Sequence, residues 1–217
     1  NPTLAPYAKS GECLVRVTAK ARTAEEAEEM MAPVIERVKA MFGDLVYAVD
    51  GKDIAEHTVK LLIEKGATIA AAESCTGGEL QGRITDIPGA SASLKGGVVV
   101  YTNEAKHLLL GIPTETLDKY GAVSREIAAE LAERVRLKLG ADLGVGVTGL
   151  AGPDGDGVHP VGTVFVSLSD GKRTWVREKH ITDRDRKTVR LYACQNVFDM
   201  VRRYLAGLPV EQKRSDI

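Results

Sequence analysis

Short apolar runs alternate with longer segments of helical periodicity from residue 53 to residue 205 of this chain. The short runs predict strands at residues 68–72, 97–101, 142–148, 161–169 and 173–181. The longer segments predict helices at residues 53–66, 76–86, 103–110, 124–139 and 184–205. Only residues 170–172 separate the last two strands, which predicts an antiparallel hairpin and therefore a mixed sheet. The predicted fold class is α/β, a three-layer α/β/α domain.

The first 50 residues follow a different pattern. Every second residue from 13 to 18 is apolar or β-branched, which predicts a half-buried strand. Thr23 and Glu26 form a capping box at the start of a helical segment that ends near Gly43. A further apolar run at residues 45–49 predicts a second strand, so these elements would form a small β-α-β segment.

The chain therefore divides into two predicted domains, residues 1–50 and residues 51–217, because a new helical pattern begins just after Gly51. A length of 217 residues allows one good-sized core and a small appendage beside it. The chain begins at Asn1 rather than at methionine, which predicts a fragment of a longer protein or a processed chain.

Composition restricts the classes of partner. The net charge of −1 gives no overall field that attracts nucleic acid or an acidic membrane. No apolar stretch approaches the ~20 residues that span a bilayer, and the start lacks a signal peptide, so we expect a cytoplasmic protein without membrane contact. Cys13, Cys75 and Cys194 lack zinc-ligand spacing, as do the four histidines, so we expect reduced thiols and no metal.

The first candidate for chemistry is the segment AAAESCTGG, residues 70–78, which runs from an apolar strand into a helical pattern. Such a turn points a serine hydroxyl out of the sheet and gathers free N–H groups that can bind an oxyanion. Ser74 is therefore a candidate nucleophile, and the N–H groups of Thr76 to Gly78 are candidate oxyanion donors. The alternative is a tight turn with Ser74 as a helix cap. Cys75 is a weaker candidate nucleophile.

The second candidate is the segment GGVVVYTNEAK, residues 96–106. Its strand ends at Tyr101, Asn103 can cap the next helix, and Lys106 falls in the first turn of that helix. A lysine there faces the positive end of the helix dipole, which lowers its pKa and suits it to accept a proton. The alternative is an ordinary solvated surface lysine.

The third candidate is the glycine-rich segment GVGVTGLAGPDGDG, residues 144–157. Its first six residues match G-x-G-x-x-G, but these glycines lie along a strand rather than at a strand-to-helix turn. A dinucleotide-binding fold is therefore not supported. The small residues of the loop predict backbone that approaches a ligand closely, with Thr148 as a polar contact. A plain mobile loop is the alternative.

The fourth candidate is the charged run at the start of the last predicted helix, residues 183–190. Arg186 and Arg190 are four residues apart on one helical face and can clamp a phosphate. Arg83, on the helix after Ser74, is a second candidate for the same role. The alternative is a solvated face with internal ion pairs.

Together these segments resemble the C-terminal domain of the CinA (competence-damage-inducible) family, the nicotinamide-nucleotide amidases. The matching stretches cover roughly residues 53–205 and read AESCTGG, GRITDIPGASASLKGGVVVYTNEAK, GAVSREIAAELA, GVTGLAGPDGDG and DRKTVR. Residues 1–50 resemble the small KH-type segment that links this domain to a larger N-terminal domain in full-length members. The segment lacks a G-x-x-G loop, so a KH-like shape does not imply RNA binding.

The resemblance implies hydrolysis of nicotinamide mononucleotide to nicotinate mononucleotide and ammonia. The family's serine, tyrosine and lysine fall on Ser74, Tyr101 and Lys106, and no cofactor or metal is implied. We also expect a homo-oligomer, most simply a dimer. The positions expected to contact the substrate are Glu73, Cys75, Thr76, Gly77, Gly78, Arg83, Asn103, Thr148, Gly149, Ala151, Gly152, Arg186 and Arg190.

A second hypothesis is a binding module in which the same glycine-rich loops hold a nucleotide without turnover and regulate a DNA-uptake or repair partner. Release of ammonia from nicotinamide mononucleotide separates the two hypotheses. A third, nucleic-acid binding, is disfavoured because the net charge is near zero and aromatic residues make up only 5% of the chain.

Overall fold

The computed structural model describes residues 1–211, which form two compact units. The first unit is Asn1–Asp53, and the second begins at Ile54. Among the described residues, every helix is too short or too polar to cross a membrane.

The first unit is a β-hairpin followed by one helix. Strands β1 (Thr3–Lys9) and β2 (Glu12–Thr18) pair antiparallel, with Thr3 opposite Thr18. Helix α1 (Ala24–Phe42) begins as the sequence predicts, because the Thr23 side chain accepts a hydrogen bond from the Glu26 N–H. A short 3₁₀ turn, Gly43–Leu45, follows the helix.

The strand predicted at residues 45–49 is wrong, so this unit is β-β-α rather than β-α-β. The missing strand is replaced by β1, which the proline-containing start of the chain forms instead. An apolar run becomes a strand only where a neighbouring strand edge satisfies its backbone groups. Tyr47 in this run donates a side-chain hydrogen bond to Glu12 Oε1, an anchor that needs no strand pairing.

The second unit contains a five-stranded mixed sheet flanked by helices, as the sequence predicts. The strand order is β4-β3-β5-β6-β7; β4, β3 and β5 are parallel, and β6 and β7 are antiparallel. The elements in chain order are α2 (Ile54–Glu64), β3 (Ile69–Glu73), α3 (Glu79–Thr85), β4 (Leu94–Val99), α4 (Asn103–Leu110), α5 (Thr114–Tyr120), α6 (Arg125–Leu139), β5 (Leu143–Gly149), β6 (Thr163–Ser169), β7 (Thr174–His180) and α7 (Arg186–Leu205).

Helices cover both faces of the sheet. On one face α6 packs against β3, β5 and β6, with α4 and α5 beside it. The core of this layer joins two small sheet residues, Ala70 and Ala72, to large helical ones such as Ile127, Leu131 and Val135. On the other face α7 packs against β6, with α2 and α3 beside it. Burial on both faces explains why the central strands read as continuous apolar runs.

Two glycines of the G-x-G-x-x-G match lie inside β5, where they let α6 approach the sheet. A Cβ at Gly144 would lie 2.0 Å from the Ala132 carbonyl oxygen, and one at Gly146 would lie 2.7 Å from the Ala128 carbonyl oxygen. Both positions therefore exclude any side chain. This packing explains the glycine spacing without a dinucleotide.

Two helices differ from the prediction. Helix α3 begins at Glu79 rather than near residue 76, because residues 74–78 form a turn. Helix α5, Thr114–Tyr120, was not predicted.

Candidate active site

The candidate residues collect where the three parallel strands end. Ser74 directly follows β3, Tyr101 follows β4 by two residues, and the glycine-rich loop follows β5, which ends at Gly149. Because β3 lies between β4 and β5, the segments after these strands lie side by side. In open α/β sheets ligands bind in the crevice outside the carboxyl ends of the strands.

The turn after β3 is built around the buried carboxylate of Glu73, which is 0% exposed. It accepts hydrogen bonds from the main-chain N–H groups of Gly78, Leu80 and Gln81 at 2.9–3.1 Å, and from the Gln81 side-chain amide. Glu73 thus caps the start of α3, where its charge also complements the helix dipole. Its oxygens are occupied and shielded from solvent in this conformation, so the structure gives Glu73 a structural role, and its expected contact with the substrate stays a prediction.

Glu73, rather than Ser74, therefore satisfies the free N–H groups of α3, and this leaves the Ser74 hydroxyl free for chemistry. The Ser74 N–H donates to the Val147 carbonyl of β5 at 2.9 Å, which fixes the residue against the sheet. The residue is 7% exposed. Left-handed backbone at Gly77 and Gly78, with φ of 59° and 94°, turns the chain into the helix.

Two of the three predicted oxyanion donors are occupied. The Gly77 N–H donates to the Ser74 carbonyl at 3.0 Å, and the Gly78 N–H donates to Glu73 at 2.9 Å. The expectation that these two glycines bind an oxyanion is therefore not met in this conformation. Of the predicted three, the Thr76 N–H remains the candidate donor.

Lys106 reaches the same hydroxyl from α4. Its Nζ lies 3.4 Å from Ser74 Oγ and donates to the Val100 carbonyl at 3.1 Å. The residue is only 1% exposed, so the alternative of a solvated surface lysine is excluded. Thr102, not Asn103 as expected, caps α4, because its Oγ1 accepts the Ala105 N–H at 3.1 Å.

Burial shifts the pKa values of Lys106 and Cys75 in opposite directions. Desolvation by burial lowers the pKa of Lys106 from 10.5 to about 8. A substantial fraction of Lys106 is therefore neutral near pH 8. Desolvation also raises the pKa of the Cys75 thiol to about 12, so this thiol is protonated and poorly nucleophilic.

Tyr101 lies at the edge of the site and is 55% exposed. Its hydroxyl accepts a hydrogen bond from Arg186 at 2.7 Å, and the same guanidinium donates to the Gly152 carbonyl at 2.7 Å. Arg186 thus joins the segment after β4 to the glycine-rich loop. Among the described residues, the Tyr101 hydroxyl bonds to Arg186 rather than to Ser74 or Lys106.

Arg190 lies one helical turn after Arg186 and contacts the nucleophile turn. Its guanidinium donates to the Thr76 carbonyl at 2.6 Å and forms an ion pair with Glu79 at 3.3 Å. The expected phosphate clamp of two free arginines is therefore not present in this conformation. Arg190 supports the turn, whereas Arg186 is exposed beside Tyr101.

Three other expected contacts have internal roles. The Thr148 hydroxyl donates to the Ala122 carbonyl at 2.7 Å and is buried, so it ties the loop before α6 to β5. A Cβ at Gly149 would lie 2.7 Å from the Thr163 carbonyl, so strand packing accounts for this glycine. Ala151 is 3% exposed.

The two remaining expected contacts are Arg83 and Asn103. Arg83 packs over the Phe198 ring at 5.4 Å and so belongs to the contact between α3 and α7. Asn103 is exposed on the first turn of α4.

A family model described as the CinA C-terminal domain matches residues 51–205, and one described as the damage-inducible protein CinA KH domain matches residues 1–48. A CinA-like protein of Desulfovibrio desulfuricans is 47% identical over 219 residues, which cover 100% of this chain and 52% of that protein. The chain belongs to the CinA family. A CinA-like protein of Dictyoglomus turgidum is 41% identical over 96% of this chain and 51% of its own length. The chain thus spans about half the length of the curated relatives it matches.

Solved structures of CinA proteins share the fold. The competence/damage inducible protein CihA of Agrobacterium tumefaciens aligns with a TM-score of 0.67 and 34% identity, over 73% of this chain and 99% of that one. A CinA superfamily protein of Klebsiella pneumoniae aligns with a TM-score of 0.68 and 28% identity, over 71% and 96% of the two chains. These matches confirm the α/β fold and the family resemblance.

Three groups that shape this CinA site were not predicted from the sequence. Glu79 pairs with Arg190 across the two helices, and Gln81 supplies two of the donors to Glu73. The Val100 carbonyl accepts from Lys106. Acidic residues favour the first turn of a helix, so Glu79 carried a local signal. The sequence carried no signal for the pairing of Glu79 with Arg190, which is distant in the chain, or for the role of the Val100 carbonyl.

Proposed function

We propose that this chain hydrolyses the carboxamide of nicotinamide mononucleotide to a carboxylate and ammonia, with Ser74 as nucleophile and Lys106 as proton acceptor. The observation that carries the proposal is the 3.4 Å separation of Lys106 Nζ and Ser74 Oγ inside the protein. A buried lysine with a lowered pKa is the kind of base that activates a serine. Because water is excluded, the electrostatic interaction between Lys106 and Ser74 is stronger than the same interaction would be in water.

The reaction would proceed by proton transfers through Lys106. Neutral Lys106 accepts the Ser74 proton while Oγ bonds to the carboxamide carbon. The tetrahedral intermediate then collapses, the carbon–nitrogen bond breaks, and Lys106 returns the proton to the departing ammonia. Water attacks the acyl-serine ester, loses its proton to Lys106, and the acid leaves as Ser74 is reprotonated.

The surrounding residues would have separate tasks in this reaction. The Thr76 N–H is the main-chain donor proposed for the oxyanion. Arg186 is the cation proposed to recognise the substrate phosphate, since it is exposed beside Tyr101 and Gly152. Tyr101 is proposed to border the bound substrate. Proton transfer needs no relay through its hydroxyl, because Lys106 reaches Ser74 directly.

The decisive experiment is an ammonia assay with purified chain and nicotinamide mononucleotide. Ammonia and nicotinate mononucleotide should form in equal amounts, and the Ser74→Ala variant should form neither. Rapid-quench mass spectrometry of the wild type should also detect an acyl adduct on the peptide that contains Ser74. A folded protein that binds the nucleotide but releases no ammonia contradicts the proposal and supports a binding module.

A further inference from the structure

A cavity of about 370 Å³ opens at the edge of the sheet opposite Ser74, where β3 and β5 begin. It lies between the end of α6, the β6–β7 turn and the end of α7. Its polar lining consists of two cations, two carboxylates and a phenol: Arg136, Lys172, Asp142, Asp170 and Tyr204. The proposed amidase reaction uses none of these residues.

The Arg136 side chain lines this cavity and carries one unsatisfied hydrogen-bond donor. Its Nε is buried and has no hydrogen-bond partner among the described residues. The guanidinium lies against the β6–β7 turn, since a Cβ at Gly171 would come within 2.6 Å of Arg136 Cζ. A buried donor without an acceptor costs free energy, and arginine is suited to bind planar or tetrahedral oxyanions. The cation is therefore placed to receive an anionic group.

Among the residues that the structure describes, neither carboxylate forms an ion pair with Arg136, and each accepts hydrogen bonds from other groups. Asp170 accepts the N–H groups of Lys172 and Arg173 on Oδ1, both at 2.8 Å, and the Tyr204 hydroxyl on Oδ2 at 3.1 Å. Asp142 accepts the Thr68 N–H at 2.8 Å and the Thr68 hydroxyl at 2.6 Å, both on Oδ2. Carboxylate oxygens accept more than one hydrogen bond, so Asp142 can also receive a ligand hydroxyl.

We propose that this cavity binds a small hydroxylated organic anion, with its phosphate or carboxylate group on Arg136 and Lys172 and a hydroxyl group on Asp142. The mixture of cations and carboxylates favours such a ligand over a simple inorganic anion, because its separate hydroxyl groups can donate to Asp142 while its anionic group contacts the two cations. Such a site is separate from the Ser74 site, since the two lie at opposite ends of β3 and β5.

Trp175 provides a local probe of this site. It is the only tryptophan in the chain, and its ring lies 5.6 Å from the ring of Tyr204, which lines the cavity. We would titrate the full chain with ribose 5-phosphate, gluconate, inorganic phosphate and ribose while recording tryptophan fluorescence. Either hydroxylated anion should shift or quench the signal with a lower dissociation constant than phosphate or ribose, and the better one identifies the anionic group.

Variants test whether the change in tryptophan fluorescence arises from binding in the cavity. Arg136→Ala and Lys172→Ala should each raise the dissociation constant about tenfold, whereas Lys138→Ala, an exposed lysine on the same helix, should leave it unchanged. Lys172 is exposed, so its variant tests the site even if Arg136→Ala does not fold. Arg186→Ala should keep the signal, which separates it from binding near Ser74. A wild-type signal that responds to neither hydroxylated anion, or that survives both cavity variants, overturns the proposal.

Discussion

Lys106 Nζ lies 3.4 Å from Ser74 Oγ, although 32 positions separate the two residues in the chain. Ser74 follows β3 and Lys106 follows β4, and these neighbouring parallel strands bring the two side chains together. Among the described residues, the Lys106 ammonium has hydrogen bonds but no ion pair with a carboxylate. A buried cation without a counter-ion is costly, which is why its pKa falls and why the arrangement suits proton transfer.

The identity of the nucleophile can be tested with adjacent residues. Ser74→Ala should abolish ammonia release, because it removes the atom that attacks the carboxamide. Cys75→Ala should keep most of the activity, since burial raises the pKa of that thiol to about 12 and leaves it protonated. The rate of ammonia release by each purified variant is the measurement. Full activity in the Ser74→Ala variant would contradict the proposed mechanism.

Removal of the proton acceptor should slow the chemical step. Lys106→Ala should lower kcat by ~10² or more, the scale expected for loss of a general base. In the wild type, kcat/KM should rise with pH and level off above about 8, where Lys106 is neutral. Lys119→Ala, which removes an exposed lysine, should keep both the rate and the profile. A wild-type profile that is flat between pH 6.5 and 9 contradicts this assignment.

The same lysine should influence stability in a pH-dependent way. Its folded pKa of about 8 lies below the ordinary 10.5, so between these pH values the unfolded chain binds more protons than the folded one. The unfolding free energy therefore rises with pH in this window, and the penalty is fully present below pH 8. Relative to Lys106→Met, the wild type should gain on the order of 2 kcal/mol between pH 7.5 and 10.5.

Urea denaturation of both proteins at several pH values measures this difference. Other titrating groups contribute almost equally to the two proteins, so they cancel in the comparison. A difference that stays constant with pH would show that Lys106 titrates normally.

The glycines of β5 should matter for packing rather than for ligand binding. Gly146→Ala places a Cβ 2.6 Å from Ser167 Oγ and 2.7 Å from the Ala128 carbonyl, so it should destabilise the fold by ~1–3 kcal/mol. Gly82→Ala is a matched control within α3, where no atom lies within 4 Å of the new methyl group. That change should stabilise by ~0.5–1 kcal/mol. Equal denaturation midpoints for the two variants would disprove the packing explanation.

Local patterns predicted the layered α/β fold well, because helical periodicity and apolar runs are properties of neighbouring residues. The run at residues 45–49 misled the prediction, since strand formation depends on a partner edge that a local pattern does not contain.

The site could be predicted only in part from the sequence. The resemblance named Ser74 and Lys106, and the structure brings them together. The capping role of Glu73 and the contact of Arg190 with Thr76 could not be read from the sequence. Both depend on the path of a turn and on helix packing across the fold, whereas the sequence shows only residue type and spacing.

The last prediction concerns the substrate phosphate. Arg186 is the exposed arginine beside Tyr101 and Gly152, whereas Arg190 is tied to Thr76 and Arg83 lies over Phe198. Arg186→Ala should raise KM for nicotinamide mononucleotide, with a smaller fall in kcat than Ser74→Ala causes, because the lost contact is mainly uniform binding. The variant should leave KM for nicotinamide riboside, which lacks the phosphate, nearly unchanged.

Two controls separate this role from general effects of charge and structure. Arg184→Ala removes an exposed arginine two positions away and should leave both KM values unchanged. Arg190→Ala should instead lower kcat, since it releases the Thr76 carbonyl and disturbs the nucleophile turn. If alanine at positions 83, 186 and 190 leaves KM for the nucleotide unchanged, the arginine assignment fails. The phosphate would then be assigned to main-chain amides, most simply those of residues 148–155, because successive backbone N–H groups can hold an anion.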